Sequence, residues 1–277
     1  MARSLRDALR VPPGDPVDLA ALDPRSTPLA PGGKSKTASA MAADGAELAR
    51  LQEALYASAA RRVLVVLQGM DTSGKGGVIE HVIGLVNPQG VTIASFKKPT
   101  AEEREHHFLW RVRRQVPRPG FLGIFDRSHY EDVLVARVRG LAPEDVIEGR
   151  YDEINRFEED LADEGVTVVK CFLHISYDEQ RARLLARLDD PTKHWKFNPG
   201  DLEERKLWPA YQEAYQLALA RCSTDTAPWY VVPSDRKWYR NWAVGRLLLE
   251  TLTALAPTYP ATDLDVPALK ARLAPPN

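Results

Sequence analysis

The sequence predicts an α/β protein whose strands form a parallel sheet. Three observations lead there. Five short apolar runs rich in β-branched residues occur in series, segments of helical period lie between them, and a Gly-rich turn follows the first run directly. Strands separated by helices need crossover connections, and these place helices on both faces of a parallel sheet. The expectation is a three-layer α/β/α molecule.

The elements follow in order. Residues 1–40 are rich in Pro, Gly, Ser and Ala, and "DPRSTPLAPGGKSKTAS" has no period, so this segment is read as an extension that either wraps the surface or is partly mobile. Leu48, Leu51, Leu55 and Tyr56 recur at helical spacing and predict a helix over 44–60. The run Val63–Leu67 is the first strand, and a helix over 78–86 follows the Gly-rich turn. Strands are then predicted at 91–96, 120–126, 166–175 and 229–233. Helices are predicted at 102–116, 129–138, 150–163, 178–188, 201–221 and 236–256. "DPTKHWKFNPG" (190–200) reads as a polar loop bounded by prolines, and the Pro-rich tail after Pro257 as loosely attached.

Bulk properties narrow the function. The chain has 277 residues, 44% hydrophobic content and a net charge of −1, enough for one large domain or two small ones, and its near-neutral charge weighs against a nucleic-acid partner. Two cysteines, Cys171 and Cys222, give no disulfide framework. The first residues lack the apolar core of a signal peptide, and no run approaches a membrane-spanning length. The expectation is a cytoplasmic protein with neither nucleic acid nor membrane as partner.

Three motifs carry the chemistry. "VVLQGMDTSGKGG" (Val65 to Gly77) contains G-x-x-x-x-G-K at Gly69, Gly74 and Lys75. Between a buried strand and a helix, such a turn aims backbone N–H groups at phosphate, and the helix dipole and Lys75 add positive charge. Gly69, Thr72, Ser73, Gly74, Lys75, Gly76 and Gly77 are therefore the candidate phosphate-binding residues. The Ser or Thr hydroxyl that ordinarily follows the lysine and holds Mg²⁺ is replaced by Gly76. In the second motif, "FLGIFDRSHYEDVL", Asp126 ends an apolar strand at the sheet edge where open α/β sheets bind ligands. Asp71 and Asp126 together are inferred to bind Mg²⁺ in place of the missing hydroxyl. Arg127, Glu131 and Asp132 follow closely, and His129 could orient Asp126.

The third motif is basic. It comprises Lys97, Lys98, Arg104, Arg111, Arg113, Arg114 and Arg118, then Arg181, Arg183, Arg187, Lys193 and Lys196, then Arg236, Lys237 and Arg240. Arg113, Arg118 and Arg183 are read as solvated or locally paired helix residues. Arg187 and Lys193 flank a loop that in nucleoside monophosphate kinases closes as a lid over phosphates. His174 reads as a satisfied core residue.

"GMDTSGKGG", "FDRSHYEDVL", "DPTKHWKFNPGDLEER" and "SDRKWYRNWAV" resemble the family-2 polyphosphate kinases, over about residues 40 to 257. The resemblance implies a P-loop kinase core similar to thymidylate kinase, with a five-stranded parallel sheet and a helical lid at about 178–205. It divides the chain into an N-terminal extension (1–40), a kinase domain (41–257) and a C-terminal tail (258–277). It implies Mg²⁺-dependent phosphoryl transfer between inorganic polyphosphate and a nucleotide, and a Gly after the loop lysine is usual. Carried over, Asp71, Lys75, Asp126, Arg127 and Arg187 resemble the catalytic set. Lys193 falls on the polyphosphate side, and Lys97, Arg127, Glu131 and Asp132 on the nucleotide side. "SHYEDVL" looks most like the subgroup acting on both AMP and ADP, with ATP as the final product. The family often forms dimers or tetramers. The rival readings are a nucleoside monophosphate kinase using ATP as donor and a phosphate-binding regulator without catalysis.

Overall fold

The chain is described from a computed structural model, which covers residues 4–274. Five parallel strands form one sheet: β1 (Arg62–Gln68), β2 (Val91–Ser95), β3 (Leu122–Asp126), β4 (Val166–His174) and β5 (Trp229–Pro233). Their spatial order is β2-β3-β1-β4-β5. The expected five-stranded parallel sheet is the observed one.

Alternation along each strand feeds two cores. On β1, Leu64 and Val66 face one core with the helices Glu144–Asp163 and Trp208–Cys222, while Val63, Val65 and Leu67 face the other with Lys34–Ser58 and Lys237–Leu255. Burial on both faces explains why these strands read as continuous apolar runs rather than alternating ones. β2 departs from this pattern: it is an edge strand, and Ile93 is exposed.

The register positions the site. Leu67 of β1 pairs with Asp126 of β3, so the Gly-rich turn and Asp126 leave the same edge side by side. The chain then runs from β1 outward to β2, and from β3 across to β4 on the other side. Two loops that diverge in this way open a crevice at the carboxyl edge.

Several elements differ from their sequence expectations. The helix expected over 102–116 is two short ones, Ala101–Glu105 and Trp110–Arg113, because His106 is extended and stacks its ring on Trp110 at 4.1 Å. The helix expected over 201–221 breaks at Leu207, where Pro209 in the first turn of Trp208–Cys222 requires a new start. Over 129–138 a 3₁₀ turn (His129–Asp132) precedes the helical turn Val135–Val138. The N-terminal segment is tied down rather than loose. Leu5, Leu9, Val11 and Leu19 are buried, and Arg10 forms an antiparallel bridge to Tyr230 of β5. Burying each such leucine contributes roughly 1.5–3 kcal/mol. The helix Lys34–Ser58 begins ten residues before its expected start.

Candidate active site

The phosphate loop spans the end of β1 and the start of the helix Lys75–His81. Gly69 has φ +150°, and a Cβ there would lie 2.7 Å from the Leu173 carbonyl and 2.8 Å from Ser73 Oγ, so only glycine fits. Ser73 N–H closes the turn by donating to Met70 O at 3.0 Å. Lys75 Nζ donates to Gly69 O at 2.7 Å, so the cation lies across the mouth of its own loop. Burial lowers its pKa, while the carboxylates of Asp71, Asp126 and Glu131 pull it back up.

Two residues without glycine's freedom occupy left-handed backbone, Thr72 (φ 66°) in the loop and Arg127 (φ 63°) just after β3. Strain of this kind gathers where geometry serves function. Arg127 is held there by its N–H, which donates to Leu67 O at 3.1 Å, and its Nη2 lies 3.2 Å from Asp71 Oδ1. Ser128 and Gln68 fix the turn behind it through a 3.1 Å hydrogen bond.

A cavity of about 320 Å³ opens beside these groups, lined by Gly69, Asp71, Arg127, Glu131, Asp201 and Tyr215 among others. Burial raises the pKa of Glu131 against the opposing pull of Arg127 and Lys75. Burial likewise raises that of Asp201, with the Asp71 charge adding to it. Gln180, on the far wall, donates to Asp71 O at 3.2 Å.

Of the residues singled out in the sequence, the structure therefore gathers the loop, Asp71, Lys75, Asp126, Arg127 and Glu131. Others lie apart. Asp132 turns away from this cavity toward Arg111 (3.6 Å) and Arg150 (3.9 Å). Lys97 is exposed, and its carbonyl accepts from Arg111 at 2.8 Å. Arg187 is nearer, 3.7 Å from Asp201 of the cavity wall, whereas Lys193 pairs with Asp190 at 2.6 Å. His129 does not orient Asp126; its Nε2 lies 3.1 Å from Glu158, drawn there by a buried cluster in which Lys170 Nζ meets Glu158 at 2.5 Å. His174 is only half satisfied: Nε2 donates to Leu22 O at 2.9 Å, while buried Nδ1 has no hydrogen-bond partner among the described residues.

Sequence reasoning missed the back of the loop. Arg183, read as a solvated or locally paired helix residue, is paired with Glu179 at 2.8 Å but is only 8% exposed. It donates to Thr72 O (2.8 Å), Ser73 O (3.1 Å), Ser234 O (2.6 Å) and Asp235 O (2.9 Å). Its signal was available, because Gln180, Arg183 and Leu184 share the inward stripe of the helix Tyr177–Leu188. Arg113 is paired as read, with Glu164 at 2.7 Å, and Arg118 lies over the Phe121 ring.

The residues fit a hard divalent cation. Asp126 sits half-buried at the sheet edge, and its carboxylate has no hydrogen-bond or ion-pair partner among the described residues. Asp71 engages Arg127 through Oδ1 alone. Carboxylate oxygens of this type suit Mg²⁺.

Comparison with known proteins decides the family. Residues 33–259 match the family described as Polyphosphate kinase 2. The chain belongs to the polyphosphate kinase 2 family. An AMP/ADP-polyphosphate phosphotransferase of Meiothermus ruber is 54% identical over 92% of this chain and 95% of its own length. An ADP-polyphosphate phosphotransferase of Rhodopseudomonas palustris is 45% identical over 78% of each chain. The crystal structure of polyphosphate kinase 2 from Arthrobacter aurescens superposes with a TM-score of 0.94 at 49% identity, covering 98% of this chain and 97% of that one. As a polyphosphate kinase 2 family member the protein is a phosphotransferase with a P-loop kinase-like fold. Among the described residues, no helix is long and apolar enough to cross a membrane.

Proposed function

We propose that the protein transfers the terminal phosphoryl group of inorganic polyphosphate to AMP, giving ADP, and to ADP, giving ATP. The observation that carries this reading is the meeting of Lys75, Asp71, Asp126 and Arg127 at one sheet edge, behind a loop built to hold phosphate. The Meiothermus ruber relative, named for AMP, ADP and polyphosphate, supports the choice of substrates. The protein acts in the cytoplasm as a homo-oligomer, in keeping with its resemblance to the family.

In the mechanism, the loop N–H groups and Lys75 hold the donor chain and neutralise its reacting end. Lys75 leaves the Gly69 carbonyl for phosphate oxygens. An ionised phosphate oxygen of AMP or ADP attacks the terminal phosphorus in line as the bridging P–O bond breaks, and the shortened chain leaves with the electron pair. The attacking group is already an anion, so no general base is needed. Arg127, fixed by Leu67 O and Asp71, faces the charge that spreads over the transferring oxygens. Asp71 and Asp126 would hold Mg²⁺, which screens the charge of the two anionic substrates. Glu131 and Arg127 border the cavity on the nucleotide side. Arg187 and Lys193 belong to the lid that closes over the chain.

Incubation with AMP, Mg²⁺ and either polyphosphate or ATP tests this. ADP and then ATP should form with polyphosphate. Formation of ADP with ATP alone as effective donor would instead make the protein a nucleoside monophosphate kinase.

A further inference from the structure

Two guanidinium groups lie directly behind the phosphate loop, and the proposed mechanism uses neither. Arg240 is 3% exposed and Arg183 8%. Both donate to the same acceptor, Ser73 O, at 3.2 Å and 3.1 Å. Arg240 also donates to Asn241 Oδ1 at 2.8 Å. Among the described residues the only carboxylate bonded to the pair is Glu179, on Arg183 at 2.8 Å. Two buried cations thus share one anion. Burial and the Arg183 charge bring the Arg240 pKa down to about 10, so it stays protonated near neutral pH. Lys237 lies in the same field, its pKa lowered by burial first and then by Arg183, Arg240 and, from the lid, Lys193.

The glycines of the loop fit around this group. A Cβ on Gly74 would overlap the Arg240 guanidinium, and one on Gly77 would lie 2.7 Å from Nη2, whereas one on Gly76 would meet nothing within 4 Å. Gly74 and Gly77 leave the space that Arg240 fills, and Gly76 does not.

We propose that Arg240 is a positioning residue for the donor polyphosphate. It holds the loop from behind through the Ser73 carbonyl, and its charge, incompletely neutralised by protein carboxylates, favours a polyanion in the loop. It touches no substrate. This deepens the functional reading above and rests on the donor chain occupying the phosphate loop.

The test measures initial rates against polyphosphate and AMP at low and moderate salt. The wild-type rate with polyphosphate checks the functional reading by itself: its absence defeats that reading, whatever Arg240 does. With that rate established, Arg240→Met should raise the polyphosphate KM tenfold or more, weaken its salt dependence and leave the AMP KM within twofold. Arg240→Lys, which keeps the charge but not the fork, should recover part of the loss. Gly77→Ala should raise the polyphosphate KM in the wild-type background and have no further effect beside Arg240→Met. A polyphosphate KM within twofold of wild type in folded Arg240→Met, or an equal rise in both KM values, overturns the proposal. If Arg240→Met fails to fold, Arg240→Lys decides, since it keeps the charge and most of the side chain while removing the fork. An unchanged polyphosphate KM in that variant overturns the proposal as well.

Discussion

In the proposed mechanism Lys75 and Asp126 act on charge at the sheet edge, and neither belongs to either core. Lys75→Ala and Asp126→Asn should therefore keep the fold while lowering turnover by ~100–1000-fold, the usual consequence of losing one electrostatic contact to a developing charge. Circular dichroism and steady-state rates check this; native spectra with rates within a few-fold of wild type would show that neither residue acts in transfer. Gly76 is a sharper case. A Cβ at Gly76 would meet nothing within 4 Å, so a serine has room there. Gly76→Ser should fold and bind substrates normally, and it should not accelerate transfer, because in the proposed mechanism Asp71 and Asp126 supply the oxygen ligands. A gain in both Mg²⁺ affinity and rate would mean that the missing hydroxyl is a deficit. The front of the site was legible because each residue stands in a contiguous motif with a known mechanical purpose. The back was not: Arg183 and Arg240 meet Ser73 from 110 and 167 residues away, and no local pattern records that encounter.

At the scale of elements, the outer part of the proposed lid has few ties to the rest. Lys193 and Trp195 are exposed, and the 3₁₀ segment Pro191–Lys196 contributes no buried residue. Such segments open at little free-energy cost. In the described conformation Arg187 and Lys193 are engaged by Asp201 and Asp190. In the proposed mechanism, closure over a phosphate chain would exchange these partners for phosphate oxygens. Arg187→Ala should lower both polyphosphate affinity and turnover, and Lys193→Ala mainly affinity, with AMP binding measured alone unchanged in both. Loss of AMP binding with polyphosphate binding spared, in Arg187→Ala, would place the two substrates on opposite sides from those assigned. Strands were readable at this scale because burial on both faces leaves unbroken apolar runs. The helices over 102–116 and 201–221 were misread because stacking of His106 on Trp110 and the ring of Pro209 interrupt otherwise helical sequences.

Across the whole molecule, one buried ionic cluster joins the sheet to a covering helix and to the turn that carries Glu131. Lys170 on β4 donates to Glu158, Tyr130 and the Cys222 carbonyl, and His129 meets the other oxygen of Glu158. Burial pushes the Glu158 pKa up, but Lys170 and His129 outweigh it and the net shift is downward. A carboxylate with a lowered folded pKa stabilises above its unfolded value, about 4.3, and that contribution is lost as pH falls through the folded pKa. Glu158→Gln strands the Lys170 charge and should cost roughly 3–5 kcal/mol, read from denaturant midpoints at neutral pH. A cost below 1 kcal/mol would show that Lys170 finds another anion or gives up its proton. The bridge between Arg10 and β5 has a different consequence, in the order of assembly. During synthesis the segment around Arg10 leaves the ribosome long before Tyr230 exists, and its strand partner lies 220 residues downstream. Leu5, Leu9 and Leu19 must therefore wait, uncovered, until the last strand is made. This segment is made early and settles late, and in that interval its apolar side chains are open to chaperones and to neighbouring nascent chains.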